Sequence, residues 1–355
     1  MHLYPSRTVH FPSLLRFCLM LILCQFSTTY AEAEDPPKPK VTFGSIEAFR
    51  GEVRINEKPV HSGMRVYHGD NLSTGAGKAR IVNPSSDFTV GPFSRIVLGF
   101  PLNATGMDAY IEMGRGTLRS VIDKVLSPSF EVRTPTTVLG IRGTDFLVHA
   151  TQKASVAFTK EGAISFRADG KTVLVNKMEM TQGGEKIEPI KPEKIMASTA
   201  LTDLLKEVEQ FCDIEIPPSL SARKDLNNII ARWNLNYATY LIDKKAFIKA
   251  KRLCSLAFFI ADLRTLKAEA MLNNGMISFA FIGDEATALT ELEEILEHYG
   301  DTPFSEHALY FKGLIHYHQN AVDKARKTLE TYMKKYPDGK FRENALSILD
   351  RLSGN

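Results

Sequence analysis

The sequence predicts a chain of two architectures, an all-β N-terminal region followed by an all-α helical solenoid, and three observations carry that prediction. Of the 23 glycines, 17 precede residue 190, which separates a region of tight turns from one of helices. Apolar residues alternate with period two before that point and recur every three or four residues after it. A self-repeat with an offset of 37 residues then runs through the last quarter of the chain.

Composition narrows the class of protein. The chain has 355 residues, 44% of them hydrophobic and 24% charged, enough apolar surface for about two folded domains. Lys and Arg number 44 against 41 Asp and Glu. Residues 41–190 carry 18 basic and 15 acidic side chains and residues 191–355 carry 22 and 23, so neither region has the basic excess of a nucleic-acid binder.

The N-terminus reads as a secretory leader over residues 1–33. Arg7 and Arg16 precede the apolar run Phe17–Cys24, and Ala31-Glu32-Ala33 supplies small residues for cleavage. The run is too short to span a bilayer, which needs about 20 residues. Leu23 before Cys24 departs from the Gly or Ala of a lipidation box, so a lipid anchor at Cys24 is not expected. Residues 34–42 form a stiff Pro/Lys linker. Export to the periplasm or cell envelope follows, with no transmembrane span in the mature chain. Cleavage leaves Cys212 and Cys254, either as a disulfide or as two buried thiols.

Residues 43–190 form the β domain. Strands are expected at Val53–Ile55, Ala79–Val82, Ile96–Leu98, Phe130–Val132, Phe146–Val148, Ala163–Phe166 and Val173–Val175. Turns are expected at Gly69-Asp70-Asn71, Pro84–Asp87, Gly114-Arg115-Gly116 and Asp169-Gly170. One helix fits weakly, around Arg119–Leu126.

A longer pattern lies inside this region. Thr134-Pro135 is followed by Gly140-Ile141-Arg142-Gly143-Thr144 and by Phe146 and Val148. It resembles the T-P-x-x-x-x-G-I-R-G-T-x-F-x-V core of the FecR-type domain, named for a regulator of bacterial ferric citrate uptake. Upstream, Val66 to Thr74 resembles the family's V-x-x-G-D-x-L-x-T segment, and Gly91-Pro92-Phe93-Ser94 its G-P-x-S turn. The resemblance implies a periplasmic β unit, either a flattened β-helix or a sandwich. From the residues alone, Pro135 keeps its segment extended, and Gly140 and Gly143 let the backbone kink. Arg142 is expected to pin the turn, with Asp145 or nearby carbonyls as partners.

Residues 191–230 are expected to be connecting helices. Leu201, Leu204, Leu205, Val208 and Phe211 share one helical face that ends before Pro217-Pro218. Residues 231–352 read as helical repeats. Ala288, Leu292, Glu293, Tyr299, Asp301, Phe304, Glu306, Ala308 and Leu309 recur 37 residues later. The later copy resembles a tetratricopeptide repeat through Leu309, Gly313, Ala325, Leu329, Tyr332 and Pro337, whose small residues allow close helix contact and whose proline ends the unit. A more degenerate copy spans about Trp233–Asp262, with Ala250 and Ala257 at the contact positions. Tyr310, His316 and Tyr317 are candidate groove residues.

Motifs of catalysis are not evident. Gly75-Ala76-Gly77-Lys78-Ala79 lacks the first Gly and the final Ser or Thr of a phosphate loop and reads as a turn. Ser221 in Ser-x-x-Lys reads as a helix cap. His316 and His318 are two apart on a helix and do not face each other. No enzymatic activity, metal or cofactor is therefore expected. The favoured reading is a binding or scaffolding protein of the envelope, whose β domain holds a protein partner, peptidoglycan or an outer-membrane component and whose solenoid holds a peptide. The alternative, implied by the FecR-type resemblance, is signalling between an outer-membrane transporter and a sigma factor. Few residues precede the leader's apolar run, and helical repeats replace the family's C-terminal segment, so direct sigma-factor control is not expected. The third class is an envelope enzyme.

Overall fold

A computed structural model describes residues 41–99, 109–123, 130–197, 199–216 and 225–353. The leader, most of the linker and Ser221 lie outside the described residues. In chain order the strands are β1 (Thr42–Arg50), β2 (Val53–Ile55), β3 (Lys58–Pro59), β4 (Arg65–Tyr67), β5 (Asn71–Thr74), β6 (Lys78–Asn83), β7 (Ser86–Val90) and β8 (Arg95–Gly99). They continue as β9 (Ala109–Ile122), β10 (Phe130–Arg133), β11 (Thr137–Ile141), β12 (Asp145–Ala150), β13 (Ala154–Glu161), β14 (Ala163–Ala168), β15 (Lys171–Asn176), β16 (Glu179–Gly184) and β17 (Glu193–Lys194). Every strand expected from the alternation pattern is present.

The strands make two layers. One sheet runs β4-β1-β6-β7-β9-β12-β13-β16-β17 and the other β3-β2-β5-β8-β9-β10-β11-β14-β15. Among the described residues only β9 and β10 pair in parallel. A β-helix would stack its strands in parallel, so of the two forms that the resemblance implies the chain adopts the sandwich. Ile46, Ile81, Phe88, Phe146 and Val148 from the first sheet share one core with Leu72, Ile96, Leu139 and Phe166 from the second. Asp169 and Gly170 both take positive φ, 45° and 74°, in the hairpin between β14 and β15, as the two-residue turn requires.

Strand β9 belongs to both sheets, and here the structure corrects two expectations. Residues up to Arg115 pair with β8 and β10 in the second sheet, whereas Gly116 onward pairs with β7 and β12 in the first. Gly114-Arg115-Gly116 is therefore a crossing between layers and not a turn. Arg119 to Ile122 is strand and not helix, because Leu118, Ser120 and Ile122 alternate into the buried side while strands flank both edges. Gly116 has φ +114°, and a Cβ there would lie 2.4 Å from Ser94 Cα.

Helices form the third layer. They are α1 (Thr199–Cys212), α2 (Leu226–Asp243), α3 (Phe247–Ile260), α4 (Arg264–Ile277), α5 (Glu285–His298), α6 (Phe304–His318), α7 (Val322–Lys335) and α8 (Arg342–Ser353). The predicted face of Leu201, Leu204, Leu205, Val208 and Phe211 in α1 is buried. It packs on the outer side of the first sheet, where Leu147, Val156, Phe158 and Met180 join Ile230, Leu253 and Leu256 in a single core. Strand β12 is thus buried on both faces, Phe146 and Val148 toward the sandwich and Leu147 toward the helices. The β region and the first helices share one hydrophobic core.

The helical half repeats geometrically. Helices α5 and α7 start 37 residues apart, and Ala250, Ala288 and Ala325 are fully buried at the same place in α3, α5 and α7. Gly313 in α6 permits close contact with α7, since a Cβ would lie 2.6 Å from Leu329 Cδ2. A π-turn, Ser278–Ile282, extends α4, and Gly283 at φ +77° leads to Asp284, whose carboxylate accepts the Thr287 amide at 3.0 Å and caps α5.

Candidate functional site

Residues of the two upstream signature segments converge on the β9 crossing. Thr74 Oγ1 donates to Gly91 O at 2.7 Å and accepts the Ser94 amide at 2.9 Å. Ser94 Oγ donates to Gly91 O at 2.8 Å and accepts the Thr117 amide at 3.0 Å. Gly91 N in turn donates to Thr117 O. The hub is buried, and its polar groups satisfy one another where β9 changes sheet. The Thr of the upstream pattern and the Gly and Ser of the second are thus explained by local backbone bonding.

From this hub a polar line crosses to the helices. Thr117 Oγ1 and His149 Nδ1 are 2.9 Å apart, and His149 Nε2 lies 2.7 Å from Asn227 Oδ1. Asn227 Nδ2 donates to Asp262 Oδ2 at 3.0 Å. The Asn227 oxygen can only accept, so the imidazole carries its proton on Nε2 and Nδ1 accepts from the threonine hydroxyl. Burial pulls the His149 pKa below its ordinary value, outweighing the opposing bond from Asn227. The neutral ring ties β9 and β12 to α2 and to the α3–α4 connection.

Beside this line lies a cavity of about 440 Å³ in the seam between sheet and helices. Phe93, Phe211, Leu226, Phe259, Ile260 and Ala261 give it apolar walls, while Thr117, His149, Asn227 and Asp262 form a polar side. Arg115 and Lys267 also line it. No ion pair or hydrogen bond engages Arg115 among the described residues, and across the sheet it faces another arginine, Arg95.

Other polar pairs, some buried and some partly exposed, hold the seam. Gln182 and Asn234 exchange amide hydrogen bonds of 2.7 and 3.0 Å with both side chains buried. Lys78 is fully buried and donates from Nζ to Gln210 O and Asp213 O, both at 2.7 Å, at the C-terminal end of α1. That end carries the negative pole of the helix. Lys249 pairs with Glu193, Arg252 with Glu188 and Lys160 with Glu209. Cys212 and Cys254 are free and buried, and burial pushes each thiol up to about 12.

The downstream signature is largely structural. Thr134 Oγ1 accepts the Thr137 amide at 2.9 Å and meets Ser155 Oγ at 2.9 Å, while exposed Pro135 leads into β11. Gly140 lies within β11, where a Cβ would stand 2.5 Å from Ser165 Oγ, so close strand approach and not a kink explains it. Gly143, at φ 63°, does turn the chain. Ile141, Thr144 and Phe146 are buried. Arg142 does not pin this turn: Asp145 is bound by Arg119, with contacts of 3.2 and 2.9 Å. Arg142 is exposed, without a hydrogen bond or ion pair among the described residues.

Of the repeat positions, Ala325, Leu329 and Tyr332 are fully buried, and the Tyr332 hydroxyl donates to Glu306 Oε1 at 2.9 Å while accepting the Phe341 amide at 2.8 Å. Pro337 follows the end of α7. Among the proposed groove residues Tyr310 is a core residue, its ring stacked on Phe341 at 4.4 Å. Tyr317 is half-buried against the same cluster. His316 is buried at the edge of a shallow cleft lined by Lys312, Lys324 and Lys327. The three do not form a common groove.

Sequence reasoning missed Lys78, Thr117, His149, Asn227 and Gln182. A lysine in a turn and single polar residues in strands carry no local signal of a partner far along the chain.

Comparison with known proteins matches one family and several solved structures. No curated protein matches this chain. Two crystal structures of a candidate anti-sigma factor from Parabacteroides distasonis, at 1.65 and 2.50 Å resolution, align with a TM-score of 0.31 and 15% identity. Each alignment covers 35% of this chain and 59% of the other, so the chain spans less than two thirds of their length. Residues 70–165 match the FecR protein family, and that segment contains Thr74, Gly91, Ser94, Thr117 and His149. This stretch, from the buried hub to the seam with the helices, is a FecR family domain.

Proposed function

We propose that the chain is a partner-binding component of bacterial envelope signalling, exported by its N-terminal leader, in which the FecR family domain and the helical repeats act as one unit. The observation that carries this reading is the bonded line from the FecR segment through Thr117, His149 and Asn227 to the helices. A partner held by either half would bear on the other through a shared core. Exposed, unpartnered Arg142 stands at the turn of the family signature and is the side chain offered to a carboxylate-bearing protein partner. The chain binds and does not catalyse. Among the described residues no helix is long and apolar enough to cross a membrane.

The test is genetic. Deleting the gene is expected to change transcription of a restricted set of envelope or iron-uptake genes, the wild-type chain to restore it, and an Arg142→Glu chain at equal abundance to fail. Unchanged transcript profiles in iron-limited and iron-replete cells would overturn the signalling role. A scaffolding role then remains, favoured by the tetratricopeptide-like stacking through Ala250, Ala288 and Ala325.

A further inference from the structure

We propose that the seam cavity is a binding site for a small anionic amphiphile, a molecule with an apolar tail or ring and one carboxylate or phosphate head. The inference stands on the chemistry of the walls and does not depend on the signalling role.

The cavity's volume, about 440 Å³, falls within the roughly 300–1,000 Å³ of small-molecule sites. It sits where two structural layers meet, and its walls come from both: Phe93 from the FecR segment, and Phe211, Leu226 and Phe259 from α1, α2 and α3. Aromatic and aliphatic walls of this kind favour an apolar body.

The charges select the head group. Arg115 is exposed, unpaired and set directly across from Arg95. Like charges facing each other across a sheet destabilise it, and a bound anion removes that cost. Lys267, from α4 on the helical side, faces the same cavity, with its ammonium 5.7 Å from the centre of the Phe258 ring. The one carboxylate of the lining, Asp262, already accepts from Asn227 Nδ2, and its own amide donates to Asn228 Oδ1 at 2.9 Å. His149 has both nitrogens engaged and is held neutral by burial, so it offers the tail an uncharged wall. The two cations unclaimed by a protein carboxylate thus both line an apolar chamber, Arg115 from the sheet and Lys267 from the helices.

The experiment is a calorimetric titration of the full chain with octanoate, octyl phosphate and 1-octanol, repeated with phosphatidylglycerol vesicles. Octanoate or octyl phosphate is expected to bind more tightly than octanol. Ala261→Trp, which fills the cavity, abolishes binding of all three. The double variant Arg115→Gln/Lys267→Gln lowers affinity for the anions about tenfold and leaves octanol unchanged. Because the double variant alters side chains at the mouth, it decides the question if Ala261→Trp does not fold. Binding to vesicles with no binding of the monomeric amphiphiles would assign the anion affinity to a lipid surface and overturn the cavity site. Equal affinity for octanol and octanoate, or anion binding unaltered in either variant, also overturns it.

Discussion

Replacing Lys78 by Met isolates the attachment of the first helix to the sandwich. The methylene stem is already buried in the wild type, so Met fills most of its space. What is lost is the ammonium, which donates to two carbonyls at the end of α1, those of Gln210 and Asp213. Each hydrogen bond from a charged donor is worth about 1.5–3 kcal/mol. Against this stands the gain from no longer burying a charge, since burial pulls the Lys78 pKa below its ordinary value. Taking two such bonds and subtracting part of the desolvation gain leaves a net loss of about 2–4 kcal/mol. At 1.4 kcal/mol per decade, amide exchange protection in α1 should fall about 30- to 700-fold. Hydrogen exchange followed by mass spectrometry reads this directly, with peptides from β10 to β15 as the internal control. Unchanged protection of α1 in Lys78→Met would refute the argument that this lysine holds the helix to the sheet.

Three further perturbations test other parts of the reasoning. Gly116→Ala places a methyl group against Ser94 at a φ of +114°, and the chain is expected to be recovered mainly as insoluble protein; a soluble variant with an unchanged urea midpoint would contradict the crossing geometry. Gly313→Val drives a side chain into Leu329 and should cost about 1–3 kcal/mol, with exchange protection falling in α6 and α7 and not in the sandwich. Glu291, which accepts from Asn274 Nδ2 at 3.0 Å, is pushed up to about 7 by burial. A carboxyl raised in the folded state contributes stability that is present below the unfolded value of about 4.5 and lost as pH rises through about 7. Glu291→Gln should therefore match the wild type near pH 4.5 and exceed it at pH 8 in urea denaturation; an equal difference at both values would reject the burial argument.

The pattern of apolar residues was sufficient for most of the local structure. Period-two alternation located strands such as β2, β8 and β15, and Asp169-Gly170 identified its own hairpin. The face from Leu201 to Phe211 and the small residues Ala250, Gly313 and Ala325 lie where helical spacing put them. These features were legible because they depend on neighbours within a few residues, on backbone freedom at glycine and on which side of an element is apolar. Arg119–Leu126 misled because a weak helical pattern was outweighed by strand partners on both edges. Arg142 misled for a related reason, since the nearby Asp145 was taken by Arg119, 26 residues away.

A glycine-rich β half with a FecR-type signature and a repeating helical half can both be read from the order of residues. Tertiary structure alone decided that the two are one body, with β9 passing between sheets and β12 buried from both sides. It also decided that Lys78 meets carbonyls 132 and 135 residues further on, and that His149 bridges Thr117 and Asn227, 32 and 78 residues away. The physical reason is that a polar side chain becomes informative only through its partner, and folding chooses among many distant candidates by the geometry of packed layers.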